Sequence, residues 1–434
     1  MLLPAGALAQ QRHLETTGQA LPAAPVPQQD VPAATPAAQG PQMTLTLDEA
    51  VTMAQRNSPR LHEAAALTRR AEGGALTAKA YTNPSVEIYE GDQYSRPVAN
   101  PGTPGLLQHY AVSQTIEIPS ERRARLKAAR YGIAGSRAGE QVAELAVVAD
   151  AKQAFYNALR QREEIAHSRE NLQLVQDLWR RTEVEVKTGE KGRLELTRAE
   201  AELARANFQV RSAELEYADA IASLRVAIAA PADADLNPTG EFEPRVALAA
   251  LTEMRARVLA AHPLIAASKA GTQAAEATLA RERALRIPQP VAFAEYEKQP
   301  DLRFWRVGAT IPIPLWDRRR GQIADAKAAI SQSEAVLNHR QLELTAQLER
   351  AYEQYQLADQ QATSLEAGSL HAAESAVEAA KAAYRFGERG IVEVLDAQRV
   401  LQSVRGDLLD AQAARQSAMV DLESLGAMPP AARP

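Results

Sequence analysis

Two stretches of about ten residues alternate between apolar and polar side chains with a period of two, the length of a tilted membrane strand. In 109–118, one face carries Tyr110, Val112, Ile116 and Ile118, and the other carries His109, Ser113, Thr115 and Glu117. In 303–313, one face carries Trp305, Val307, Ala309, Ile311 and Ile313, and the other carries Arg306, Gly308 and Thr310. Their partners in two hairpins are predicted at 85–91 and 290–298, joined by the loops 92–106 and 299–302.

A second pattern repeats every three and four residues and predicts long helices. One run comprises Leu196, Ala199, Leu203, Ala206, Val210, Ala213, Tyr217, Ala220, Leu224 and Ala227, and the other Val394, Ala397, Leu401, Val404, Leu408, Ala411, Arg415, Ala418, Leu422 and Leu425. A strict period of 3.5 with alanine in the seam is typical of closely packed antiparallel coiled coils, although an ordinary helical bundle also satisfies it. No proline interrupts 120–187 or 317–385, so each can form a helix of about 100 Å.

The chain carries the same unit of about 200 residues twice. Four landmarks recur in the same order: 47–61 with 251–265, Pro84 with Pro288, 115–119 with 310–314, and 187–192 with 385–390. Each unit predicts two shorter helices, two strands and a long helical hairpin. We therefore divide the chain into repeats at 44–240 and 241–428, with hairpin tips at about 187–193 and 385–390, and a tail at 429–434.

The amino-terminal segment 1–43 is predicted to be a signal-peptide remnant followed by a Pro- and Ala-rich extended stretch. The small-x-small pattern Ala7-Leu8-Ala9 is typical of a secretory cleavage site, although a disordered alanine-rich terminus also accounts for it. The first repeat then begins with a capping box, in which Thr46 and Glu49 start a short helix, and Pro59 ends or kinks that helix.

Composition excludes several classes of function. Among 434 residues there is no cysteine, so disulfides, thiolate metal sites and a cysteine nucleophile are excluded. The formal charge of −5 gives no bulk attraction for nucleic acid. The seven histidines are scattered, and no P-loop, GxSxG or GxGxxG motif occurs. We therefore predict no enzymatic activity, no cofactor and no metal site.

The four predicted strands of one chain are too few to form a closed barrel in a membrane. Closing a barrel needs about eight strands, and open strand edges in lipid leave unpaired backbone groups. Several copies of the chain would therefore have to contribute strands to one barrel. A trimer, with twelve strands, leaves room for a pore, whereas a dimer, with eight, does not.

The repeated unit resembles the TolC family of outer-membrane efflux proteins over about 44–428. The residues that carry this resemblance are 47–50, 310–315 and 386–398. The resemblance implies an α+β membrane protein: a homotrimer with a twelve-stranded β-barrel in the outer membrane of a Gram-negative bacterium and a twelve-helix tunnel in the periplasm. It also implies outer-membrane lipid around the barrel, a periplasmic adaptor (a membrane fusion protein) and an inner-membrane RND pump, which supplies the energy.

The resemblance also points to residues at the tips. Glu393 and Asp396 lie on one face of the first turn of the last helix and match the acidic pair at the periplasmic constriction of the family. Six such carboxylates in a trimer would act as a gate and cation filter; alternatively, they only complement the helix dipole. Arg389 matches an arginine that holds neighbouring tips closed. The tip glycines let the chain reverse, and by analogy these turns dock the adaptor: Gly189, Gly192, Gly387 and Gly390.

Two segments, 114–123 and 312–321, are similar to the heavy-metal branch of this family, the CzcC-like outer-membrane factors. They depart from its pattern at Ser120-Glu121 and at Trp316. This similarity implies a passive exit duct for heavy-metal cations of the Co/Zn/Cd or Cu type. An exit duct for drugs or for type I secreted polypeptides is the alternative. A soluble coiled-coil scaffold is the alternative from another class, although it leaves the paired amphipathic strands unexplained.

Overall fold

The computed structural model describes residues 42–94 and 104–428. The predicted signal-peptide remnant, most of the extended stretch, residues 95–103 of the first hairpin loop and the tail lie outside the described residues. Within the described part of the chain, no helix has both the length and the apolar character that crossing a bilayer requires.

The same order of helices and strands occurs in both halves of the chain, as predicted. The first half contains β1 (Gln42–Leu45), α1 (Leu47–Asn57), α2 (Pro59–Lys79), β2 (Ser85–Gln93), β3 (Gly105–Thr115), α3 (Pro119–Lys187), α4 (Arg193–Ala227) and β4 (Asp235–Pro238). The second contains α5 (Leu251–Ala261), α6 (Pro263–Ala284), β5 (Val291–Lys298), β6 (Arg303–Thr310), α7 (Arg320–Ser364), α8 (Leu370–Arg385) and α9 (Ile391–Ser424). The short parallel pair of β1 and β4 was not predicted.

The four longer strands form one antiparallel sheet in the order β2-β3-β5-β6. The predicted alternation holds: apolar side chains such as Tyr110, Val112 and Trp305 are exposed on one face, and His109 and Arg306 lie on the other. Within the described residues, β2 and β6 each have one unpaired edge.

The strand limits differ from the predicted ones by a few residues. β3 covers 105–115 and not 109–118, and β6 stops at Thr310 and not at 313. At the carboxyl ends, β3 and β6 both stop opposite Val291, because the preceding Pro290 has no backbone N–H with which to continue the ladder. Pro312 and Pro314 then prevent β6 from extending further.

The long helix of the second half is not continuous, contrary to the prediction. α3 runs unbroken for 69 residues, whereas a π turn at Leu365–Ser369 separates α7 from α8. The helix also begins at Arg320 and not at Asp317, because the Asp317 carboxylate accepts the N–H of Arg319 at 2.8 Å and holds the chain in a turn. The π turn contains glycine, a poor helix former.

The heptad residues form the seams between the long helices. Every residue of the two predicted runs is buried or half-buried, including Arg415, whose guanidinium lies 3.4 Å from the Asp359 carboxylate. Alanines such as Ala199, Ala206 and Ala418 are almost fully buried. Because alanine keeps the side-chain layer thin, the helix axes can approach closely.

A cluster of ion pairs links the sheet to the helices. Arg125 donates to both carboxylate oxygens of Glu117, at 3.0 and 2.9 Å, and Arg281 donates to Glu121 at 2.9 Å. Both carboxylates are buried. In the equivalent place in the second half, Arg319 pairs with Glu282. The segments 114–123 and 312–321 therefore carry ion pairs that join the ends of the strands to the helices.

The two repeats end differently, and this difference gives a stability prediction. After α4, Ala229 takes a left-handed conformation with φ 50°, whereas Gly426 takes the same position after α9 with φ 67°. Because a Cβ is strained in this region, Ala229→Gly should stabilise the folded protein by about 0.5–1 kcal/mol. Thermal unfolding monitored by circular dichroism checks this. Gly426→Ala is the matched control and should lower the midpoint; an unchanged or lower midpoint for Ala229→Gly would contradict the prediction.

Candidate functional site

The two long hairpins turn back at their tips through the same backbone motif. Gly189 and Gly387 are left-handed, with φ 84° and 73°. Beyond each glycine, an N–H reaches back to a helix carbonyl: Glu190 to Glu185 at 2.9 Å, and Glu388 to Ala383 at 3.0 Å. This arrangement satisfies carbonyl groups that would otherwise lack partners at the helix ends.

Gly192 and Gly390 play a different part from the one predicted. Their φ angles are −82° and −84°, so neither needs the conformational freedom of glycine. Each is the residue before the returning helix. At Gly390, a Cβ would lie 3.4 Å from the Oε2 atom of Glu393 and 3.7 Å from the Oε1 atom of Glu195. This glycine therefore leaves space where two carboxylates converge.

Glu195 is a site residue that the sequence reasoning missed. It lies three residues after Gly192, as Glu393 lies three after Gly390, so aligning the two repeats would have identified it. Its Oε2 atom is buried with no hydrogen-bond partner among the described residues. The first turns of α4 and α9 thus present paired carboxylates at the tips.

Asp396 is held by an arginine that bridges two helices. Arg399 donates to Asp396 at 2.8 Å and to Glu202 of α4 at 2.8 and 3.4 Å. The hydrogen bond that Arg399 donates to Glu202, together with the charges of both carboxylates, raises the pKa of Arg399. The side chains of Glu393 and Asp396 are exposed, so Arg399 fixes Asp396 without covering it.

Tyr384, also missed from the sequence, ties α8 to the end of α3. Its hydroxyl donates to the Glu185 carboxylate at 2.7 Å and lies 3.4 Å from the Thr182 hydroxyl. The Lys191 ammonium lies 5.2 Å from the centre of its ring. Burial, together with the neighbouring Glu185 carboxylate, raises the pKa of Tyr384 to about 12. The available signal was a tyrosine hydroxyl within an otherwise apolar cluster that includes Val175, Leu178 and Ile391.

Further from the tips, Arg405 of α9 adds a third link between the hairpins. It donates to Glu170 of α3 at 2.8 Å and to Glu374 of α8 at 3.4 Å. Tyr384, Arg399 and Arg405 therefore form three rungs, each of which joins the helical hairpin of one repeat to that of the other.

Arg389 is not part of these rungs. It lies exposed between Glu388 and Gly390, and it forms no ion pair with any described residue of its own chain. Its neighbour Phe386 is 81% exposed. Across the described residues, no three His, Asp or Glu side chains have a geometry that holds a metal ion.

Comparison with known proteins places the chain in a family. The family model for "Outer membrane efflux protein" matches residues 50–230 and 255–427. The cobalt-zinc-cadmium resistance protein CzcC of Cupriavidus metallidurans is 27% identical over 371 residues, which cover 83% of this chain and 85% of the relative. The pyoverdine export outer membrane protein OpmQ of Pseudomonas putida is 23% identical, with coverage of 87% and 84%.

Solved structures show the same fold. A structure of CusC has a TM-score of 0.74 at 18% identity and covers 87% of this chain and 91% of its own. The outer membrane protein VceC of Vibrio cholerae has a TM-score of 0.72 at 18% identity, with coverage of 88% and 96%. From the family match over most of its length, this chain belongs to the outer membrane efflux protein family, and it is an efflux protein of the outer membrane and not an enzyme.

Proposed function

We propose that three copies of this chain form the exit duct of a tripartite efflux system. The observation that carries the proposal is the sheet, which exposes an apolar face and leaves one edge of β2 and one of β6 unpaired within the described residues. Three such sheets joined edge to edge make twelve strands, enough for a pore. The long helices extend the duct into the periplasm, where a membrane fusion protein and an inner-membrane RND pump supply cargo.

The tips form the gate of this duct. In each copy the three rungs hold the two hairpins together, and Glu195, Glu393 and Asp396 place carboxylates at the tip. Threefold symmetry brings these carboxylates around one aperture, where they attract cations. Arg389, which pairs with none of the described residues of its own chain, then reaches a neighbouring copy and helps to hold the tips closed. The exposed turns around Gly189 and Gly387 are the docking positions for the adaptor.

We further propose heavy-metal cations as the cargo. Three relatives are named for resistance to such metals: CzcC for cobalt, zinc and cadmium, CnrC for nickel and cobalt, and NccC for nickel, cobalt and cadmium. An aperture lined by carboxylates attracts cations and repels anions, which is consistent with a cationic cargo. The similarity to a pyoverdine export protein favours the second candidate, the export of an organic molecule.

Deletion of the gene in its own host tests this function. The deletion strain should lose several-fold in tolerance to zinc, cadmium or cobalt salts, and a plasmid copy should restore it, because the exit duct is the last step out of the cell. Growth inhibition by each salt and by a panel of antibiotics is the measurement. Unchanged metal tolerance with new antibiotic sensitivity would favour the organic cargo. A protein that stays soluble on membrane fractionation would favour the scaffold.

A further inference from the structure

The four connections between helices and long strands meet at one end of the sheet. The register pairs Ser85 with Ser113 and places Val291 opposite both Thr115 and Thr310. These strand ends adjoin α2, α3, α6 and α7. Contacts across the connections are direct, since Arg122 donates to the carbonyl of Lys79 at 3.0 Å. The connecting residues therefore form one band, which we call the junction band.

The junction band carries unpaired positive charge. Six exposed cationic side chains lie in it, and none forms an ion pair with a described carboxylate: Lys79, Arg123, Arg283, Arg286, Arg318 and Arg320. The buried or half-buried carboxylates nearby are already engaged, Glu117 by Arg125, Glu121 by Arg281 and Glu282 by Arg319. The exposed Asp317 is the acidic residue closest in sequence to Arg318. A chain with a net charge of −5 thus concentrates positive charge at this level.

Exposed apolar side chains border the same cations. Trp316 is 93% exposed and Ile313 is 73% exposed, and both follow β6 on the side of Arg318 and Arg320. On the other connection, Tyr81 is exposed beneath the Arg122 guanidinium, 4.3 Å from its ring centre. An apolar strand face that ends in an aromatic residue and then in arginines has the composition of a membrane–water boundary.

We propose that the junction band binds the headgroups of anionic phospholipids in the leaflet next to the helices, which is the periplasmic one. The proposal rests on the proposed function, because it needs the sheet to lie in the outer membrane. Guanidinium groups match the oxygens of a phosphodiester, and the exposed Trp316 lies at the depth of the glycerol. Each cation near an anionic surface strengthens binding by roughly fivefold, and added salt weakens it.

The test compares two double variants with the same change in charge. Full-length protein purified in detergent is equilibrated with equal amounts of phosphatidylglycerol and phosphatidylcholine, and bound lipids are counted by native mass spectrometry. A parallel sample contains equal amounts of phosphatidylglycerol and lipopolysaccharide. The wild type should retain phosphatidylglycerol. Arg318→Gln with Arg320→Gln should reduce this preference by about 25-fold, roughly fivefold for each cation removed. Arg193→Gln with Arg198→Gln, which removes two exposed cations near the tip of α4, should leave it unchanged.

Three outcomes would overturn the proposal: equal binding of the two lipids by the wild type, equal losses in both double variants, or a preference for lipopolysaccharide that the first double variant abolishes. Lys79→Gln with Arg286→Gln serves as a second junction variant if the first one does not fold. Trimer bands and membrane fractionation on the same samples separate the two claims. Loss of the trimer in the wild type refutes the proposed function, whereas an intact trimer without lipid preference refutes only the lipid site.

Discussion

Replacing Glu117 with alanine is expected to destabilise the folded protein by about 3–5 kcal/mol. The Glu117 carboxylate is 4% exposed and accepts two hydrogen bonds from Arg125, with Arg122 3.8 Å away. Removing it leaves Arg122 without a carboxylate partner among the described residues and leaves Arg125 with only Glu121, 3.5 Å away, in a poorly hydrated place. That loss exceeds the loss of the contacts themselves. The temperature at which purified protein unfolds, followed by circular dichroism, is the measurement.

An exposed ion pair between α2 and α3 is the control. Arg137 and Glu72 lie 2.9 Å apart with side chains 65% and 44% exposed, so Glu72→Ala should cost less than about 1 kcal/mol. Glu117→Gln should recover part of the loss because its amide oxygen still accepts a hydrogen bond. If the two alanine variants unfold at the same temperature, the buried Glu117 pair contributes no more to stability than the exposed pair, and the prediction is wrong.

The second large effect is expected at the tips. Tyr384→Phe combined with Arg399→Ala should raise the open fraction of the channel about tenfold or more, because each variant removes hydrogen bonds to a carboxylate worth about 1.5–3 kcal/mol. These bonds join Tyr384 to Glu185, and Arg399 to Glu202 and Asp396. Single-channel conductance in planar bilayers is the measurement.

The matched control for the tip is Tyr131→Phe with Arg180→Ala. No hydrogen bond joins the Tyr131 hydroxyl to a described residue, and Arg180 pairs only within α3, with Asp177. This control should conduct like the wild type. Unchanged conductance and ion selectivity in the tip variant would show that the rungs of Tyr384 and Arg399 do not hold the channel closed.

The pKa of Tyr384 sets the pH range of this contact. A tyrosine in the unfolded chain ionises near pH 10, whereas burial beside Glu185 raises the pKa of Tyr384 to about 12. The stability that the neutral hydroxyl provides is therefore complete below about pH 10 and is lost as the pH rises towards 12. At neutral pH the rung is intact.

The periodicity of the sequence predicted which face of each strand and helix is apolar, but not which side chains form contacts between the hairpins. The alternation around His109 and Tyr110 fixed the two faces of the sheet, and the seven-residue spacing of Leu401, Leu408 and Leu422 with their neighbours fixed the seams. The rung between Tyr384 and Glu185 depends instead on how two hairpins pack side by side, which no single helix pattern contains. Glu195 could have been predicted by aligning the two repeats, because it occupies the position equivalent to Glu393. The trimer remains a prediction.

The π turn at Leu365–Ser369 has a consequence for how the two repeats can bend. A π turn adds one residue to the chain without adding to the helical rise, so it weakens the regular backbone hydrogen bonding at that point. Its counterpart, α3, has no such break along 69 residues. We therefore expect the long helix of the second repeat to bend at the π turn more easily than α3 bends anywhere along its length. The two repeats share their sequence pattern but differ in where they can flex.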